Sequence, residues 1–150
     1  MTLEKPFVLL ADDNEATCTL ITAVLHHDFV VEVVSDGNEA VEKLKRRQYA
    51  AILLDLLMPF ADGYTVLDFL KENRPDLLPH VLVVTASLSH RELQRVRSYD
   101  IFGIMPKPFE VDGLLLAVRR AAGVAEGPSP RYPILSSGMI LLLGELLRRV

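Results

Sequence analysis

Short β-branched runs alternate with longer stretches whose apolar residues recur at helical spacing, and the alternation repeats five times along the chain. Phe7 to Ala11 is a continuous apolar run that predicts a strand, and Asn14 offers a helix N-cap ahead of Ala16, Leu20, Ile21, Val24 and Leu25. Val30 to Val34 predicts a second strand, closed by Ser35, Asp36 and Gly37. Ala40, Val41 and Leu44 then mark the inner face of a helix that runs into basic Lys43, Lys45, Arg46 and Arg47, which suits the negative end of its dipole. Ala51 to Leu54 predicts a third strand that stops at Asp55. A loop with Pro59, Asp62 and Gly63 leads into a helix carrying Val66, Leu67 and Leu70, and Pro75 and Pro79 close that unit. The fourth strand is expected over His80 to Val84, followed by Thr85, Ala86 and Ser87 and by a charged helix with Leu93 and Val96 inward. Phe102 to Met105 predicts a short fifth strand. Val111 to Ala122 predicts a last helix burying Leu114, Leu115 and Val118, with Gly123 at its end.

This order of elements gives an α/β fold in which right-handed crossovers build a doubly wound parallel sheet with helices on both faces. A (βα)5 chain of 150 residues fits the flavodoxin-like strand order 2-1-3-4-5, with strands buried on both faces and ligands bound beyond their carboxyl ends. One hydrophobic core is expected at this length, and the domain is assigned to residues 1–123. Residues 124–150 read as a Pro/Gly linker around Gly127, Pro128, Pro130 and Pro133. An apolar tail follows, with Met139 to Leu143, Leu146 and Leu147, where a short helix is expected to pack on the domain or to pair two copies as a homodimer, in preference to the start of a further domain or a membrane-surface segment.

Composition narrows the setting. The net charge of −4, with acidic and basic residues interspersed, offers no polyelectrolyte patch, so direct nucleic-acid binding by this chain is not expected. Half the residues are hydrophobic, yet no apolar stretch reaches the length of a transmembrane segment, and the amino terminus lacks the pattern of a secretory signal. A cytoplasmic location is the expectation. Cys18 is the single cysteine, which excludes an internal disulfide and reads as a small core residue.

Candidate chemistry lies where the predicted strands end. Asp12 and Asp13 follow the first strand, Asp55 the third, Thr85 the fourth and Lys107 the fifth. In the expected order the first and third strands are neighbours, so three carboxylates distant in sequence converge in one acidic pocket. Such a cluster needs a counter-ion, and Mg²⁺ fits because it takes one or two carboxylates and shares itself with a phosphate. Lys107 adds a point charge suited to a phosphoryl oxygen, Thr85 a hydroxyl, and a carboxylate is itself a competent nucleophile toward phosphorus. Taken singly, the acids are equally turn and cap chemistry and Lys107 a solvated charge. Independent turn chemistry gives no reason for all five to fall at one sheet edge.

These residues resemble the response-regulator receiver family of two-component signal transduction over about residues 5 to 122. Phe7 to Asn14 looks like the family's first strand and acidic pair, Leu53 to Gly63 its phosphorylation segment, Val83-Val84-Thr85-Ala86 its hydroxyl strand end, and Lys107-Pro108-Phe109 completes the set. The resemblance implies a phosphoprotein switch. Asp55 would accept phosphate from a sensor histidine kinase or phosphotransfer protein, and Asp12, Asp13, Asp55 and the backbone carbonyl of Leu57 would surround Mg²⁺. Thr85 and Lys107 would bind the phosphoryl group, and the Lys107–Pro108 bond would be cis. Phosphorylation would switch a surface on the fourth helix and fifth strand, with Arg91, Glu92, Arg95 and Arg97, read by a downstream protein. Two departures concern output: the aromatic residue the family commonly carries three positions before the lysine is Ile104 here, and Pro106 lacks the N–H that only an edge strand can spare. Leu57 and Ser87 occupy positions that in this family influence attack by water on the acyl phosphate.

Three classes of function follow. The first is a signalling switch, not an enzyme beyond Mg²⁺-dependent self-phosphorylation and autodephosphorylation. The second is a phosphorylation-independent interaction or dimerisation module on the same fold, favoured only by Ile104. The third, a phosphohydrolase or phosphotransferase acting on a metabolite, needs a substrate pocket and a water-activating base that His26, His27, His80 and His90 are not placed to supply.

Overall fold

The computed structural model describes residues 4–86 and 88–124. Its elements run β1 (Phe7–Ala11), α1 (Glu15–Leu25), β2 (Val30–Val34), α2 (Gly37–Arg46), β3 (Ala51–Leu54), α3 (Gly63–Asn73), a 3-10 helix (Pro75–His80), β4 (Val81–Thr85), α4 (His90–Arg97), β5 (Gly103–Pro106) and α5 (Val111–Ala121). The five strands are parallel in the order β2-β1-β3-β4-β5. This is the flavodoxin-like arrangement expected from the sequence.

Side chains of a strand alternate between faces, so each central strand feeds two cores. Leu9, Ile52, Leu54, Val81, Val83 and Ile104 pack with Leu44, Leu67, Leu70, Leu93 and Val96 of α2, α3 and α4. Val8, Leu10, Leu53, Leu82, Val84 and Met105 pack with Ile21 and Leu25 of α1 and Leu114 and Val118 of α5. Cys18 belongs to this second core. Short polar side chains start four of the helices: Asn14, Asp36, Asp62 and Ser89 each accept a backbone N–H of the first turn. The left-handed φ of +74° at Gly123 closes the last helix.

The structure corrects several boundaries. The fourth strand begins at Val81 and includes Thr85, whereas His80 ends a 3-10 helix that contains Pro75 and Pro79, the two prolines expected only to close the third unit. Pro75 opens that short helix, where its missing N–H costs nothing. The His80 ring is held by Nδ1 against the carbonyl oxygen of Ala121 at 2.7 Å. The fifth strand is shifted by one residue, and Pro106 sits on the sheet edge as its missing N–H requires. Burial on both faces fails for β2, an edge strand whose Val30 and Val33 are exposed. The apolar tail lies outside the described residues.

Candidate functional site

Parallel pairing fixes where each polar side chain emerges. The N–H of Asp12 donates to Val34 O at 3.0 Å and that of Asp55 to Ala11 O at 2.9 Å, which aligns the ends of β2, β1 and β3. On the other side, Lys107 N–H donates to Thr85 O at 3.0 Å, aligning the ends of β4 and β5. Asp12, Asp55, Thr85 and Lys107 therefore meet at one edge despite the length of chain between them.

The contacts differentiate the two oxygens of Asp55. Its Oδ1 accepts the Thr85 hydroxyl at 3.0 Å and the Leu57 N–H at 3.2 Å. Its Oδ2 lies 3.0 Å from Lys107 Nζ, which is also 2.7 Å from Asp12 Oδ2. Asp12 Oδ1 accepts the Asn14 N–H at 2.9 Å, so the turn that caps α1 also orients the buried acid. Burial alone would lower the Lys107 pKa, but hydrogen bonds and charge from Asp12 and Asp55 outweigh it and raise the value above the ordinary lysine range. Lys107 is a committed cation.

Asp13 is exposed, and Asp12, Asp13 and Asp55 each offer a carboxylate oxygen within 4.8 Å of the others. Three hard oxygen donors at this spacing suit a small divalent cation, in keeping with the Mg²⁺ expectation. Cys18 sits behind them, its Sγ donating to the Asp12 carbonyl at 3.3 Å. Burial, then the charge of Asp12, pushes its thiol up to about 11, which removes it as a nucleophile at neutral pH.

All five site residues named from their side chains thus converge. Leu57 contributes its N–H to Asp55, and the residue is 59% exposed. Ser87 lies outside the described residues. The Lys107–Pro108 bond is cis. Sequence reasoning missed Phe60, which is 95% exposed at a φ of +64°, a conformation with no periodicity to announce it. It also missed the pairing of Tyr64 on α3 with Glu92 on α4, because polar partners on separate helices share no pattern in sequence.

Residues 8–119 match the family model of the response regulator receiver domain. The chain belongs to the response-regulator receiver family. Among curated relatives, this receiver is 29% identical over 137 residues to the transcriptional regulatory protein TcrA of Mycobacterium tuberculosis, covering 90% of this chain and 52% of the relative. It is 33% identical over 113 residues to the response regulator MprA of Mycobacterium leprae, covering 75% of this chain and 49% of the relative. The chain thus spans about half the length of these curated relatives. Among solved structures, a receiver domain of a Pseudomonas aeruginosa sensor histidine kinase, with a magnesium ion coordinated in its active-site cleft, matches at a TM-score of 0.72 and 27% identity. That match covers 80% of this chain and 99% of the other. The non-phosphorylated HemR receiver domain of Leptospira biflexa also matches at 0.72, with 25% identity over 83% of this receiver and 99% of that one. None of the described helices is long and apolar enough to cross a membrane.

Proposed function

We propose that this receiver is a phosphorylation switch in which Asp55 takes a phosphoryl group from the phosphohistidine of a sensor kinase or phosphotransfer protein. The observation that carries the reading is the division of labour at Asp55: one oxygen takes two hydrogen-bond donors and the other an ammonium. An Asp55 oxygen attacks phosphorus in line with the leaving nitrogen. The O–P bond forms as the P–N bond breaks, and the imidazole keeps the electron pair. Lys107 neutralises charge on the phosphoryl oxygens, and the Thr85 hydroxyl, already aimed at Asp55, donates to one of them.

Asp12, Asp13, Asp55 and the Leu57 backbone carbonyl would hold Mg²⁺, which when bound supplies further neutralisation of the phosphoryl charge. The protein itself performs no turnover on a metabolite. Its output is a change of surface at α4 and β5 that a downstream protein reads. Hydroxylamine cleaves acyl phosphates and spares phosphoesters, so a label placed by a small phosphodonor, removed by hydroxylamine and absent from Asp55→Asn, supports Asp55 as acceptor. A hydroxylamine-resistant label contradicts it.

The second reading, a module that works without phosphorylation, draws on Ile104, which is 0% exposed in the core and offers no ring to rotate. A module of that kind has no use for the Asp12, Asp55, Thr85 and Lys107 network, and the first reading uses all of it.

A further inference from the structure

Both sides of the contact between α3 and α4 are fastened to the acidic pocket. On the α3 side, Gly63 lies so close to the acceptor loop that a Cβ there would sit 2.6 Å from the Asp55 carbonyl oxygen, and its N–H donates to Leu56 O at 3.1 Å. On the α4 side, β4 ends at Thr85, whose hydroxyl meets Asp55, and the helix starts at His90 after a short connection. A change in how Thr85 and Asp55 sit relative to each other therefore has a short route along the chain to both helices.

Two tyrosine–carboxylate pairs span that contact in opposite directions. Tyr64 of α3 donates its hydroxyl to Glu92 of α4, and Tyr99, which follows α4, donates to Asp68 of α3. The Arg95 guanidinium lies 3.5 Å from the centre of the Tyr64 ring, and Lys71 Nζ lies 5.7 Å from that of Tyr99. Burial first, then the adjacent carboxylate, raises both phenol pKa values, so each hydroxyl is a proton donor at neutral pH.

The helix they hold has little other anchorage. α4 is the shortest of the described α-helices and sends only Leu93 and Val96 into the core. Ile104, packed in the same cluster, is aliphatic and fully buried, so no aromatic rotation at that position can report the state of the pocket. Polar pairs that break without leaving a cavity are the parts of this interface best able to yield.

We propose that Tyr64–Glu92 and Tyr99–Asp68, with Arg95 stacked on Tyr64, form a latch that holds α4 against α3, and that phosphorylation of Asp55 releases it. This rests on the reading of Asp55 as phosphoacceptor. Release of the latch parts half-buried Glu92 and already exposed Arg95 from Tyr64 and so changes the charge pattern that α4 offers to a partner.

The full chain is compared with Tyr64→Phe, Tyr99→Phe and the double variant, which keep both rings and remove only the hydroxyls. Amide hydrogen exchange of residues 90–97 is measured before and after incubation with acetyl phosphate and Mg²⁺, with intact mass recording the modification. In the unmodified double variant, exchange of α4 should rise by on the order of tenfold, approaching that of phosphorylated wild type, while α1 and α2 stay protected. The double variant should also gain the adduct faster than wild type, because the cost of release has been removed. No adduct on wild type overturns the receiver reading and phosphorylation-driven release together. An adduct that leaves exchange of 90–97 unchanged overturns the latch alone, as does a double variant whose α4 exchanges like wild type or whose α1 and α2 lose protection equally.

Discussion

The ammonium of Lys107 lies 2.7 Å from Asp12 Oδ2, an ion pair between the loop after the last strand and the end of the first. Because the same ammonium reaches Asp55 at 3.0 Å, one cation neutralises two acids that parallel pairing forces together.

Removing that cation should therefore cost stability that a divalent ion can restore. Lys107→Ala leaves buried Asp12 and Asp55 as neighbouring like charges, with an expected loss of about 2–3 kcal/mol. Thermal unfolding checks this: the variant should melt lower than wild type in EDTA and recover most of the difference in millimolar Mg²⁺. Equal melting temperatures in EDTA would show that the ion pair contributes nothing.

Leu57, an exposed apolar residue, holds Asp55 through its N–H. A bulky group there hinders the approach of water to an acyl phosphate, so Leu57→Asn should shorten the lifetime of the phosphorylated protein severalfold. The decay of the adduct after removal of the phosphodonor measures it. A decay rate that stays the same or falls argues against steric shielding by Leu57.

Phe60 holds a left-handed backbone with its ring in solvent. Glycine adopts that conformation without the Cβ penalty and loses almost no packing at this position. Phe60→Gly should thus leave stability unchanged or raise it by about 0.5–1 kcal/mol, net of the added freedom of the unfolded chain. Urea unfolding with an unchanged slope tests this, and a clear loss would mean that the ring packs on the domain.

Alkaline pH should weaken the fold. Burial and the Asp68 carboxylate push Tyr99 up to about 12, against an unfolded value near 10, and Lys107 is likewise raised. A group whose folded pKa is raised contributes fully below its unfolded pKa and loses that contribution as pH climbs through the folded value. Stability should hold to about pH 10 and fall between about 10 and 12. Denaturant midpoints across that range should fall less steeply for Tyr99→Phe than for wild type.

The sheet order and the four-residue network at its edge were legible because both follow from long-range regularities. Five apolar runs separated by amphipathic stretches leave few topologies, and the topology decides that Asp12, Asp55, Thr85 and Lys107 share an edge. Features without periodicity were not legible. The 3-10 helix from Pro75 reads as a proline break, and the positive φ of Phe60 has no residue signal, since phenylalanine is the wrong choice there. Val30 and Val33 suggested a buried strand because an apolar run does not say which strand lies at the edge. Tyr64 and Glu92 belong to different helices, and their meeting depends on how those helices pack.

The proposed switch depends on Asp55 as a metal-dependent phosphoacceptor. The most direct measurement is intact mass after incubation with acetyl phosphate and Mg²⁺, for wild type, for Asp55→Asn and for wild type in EDTA. The expected result is a phosphoryl-mass adduct on wild type in Mg²⁺ that disappears in both other samples. No adduct on wild type, where a control receiver is modified, or an adduct that survives Asp55→Asn, would contradict it.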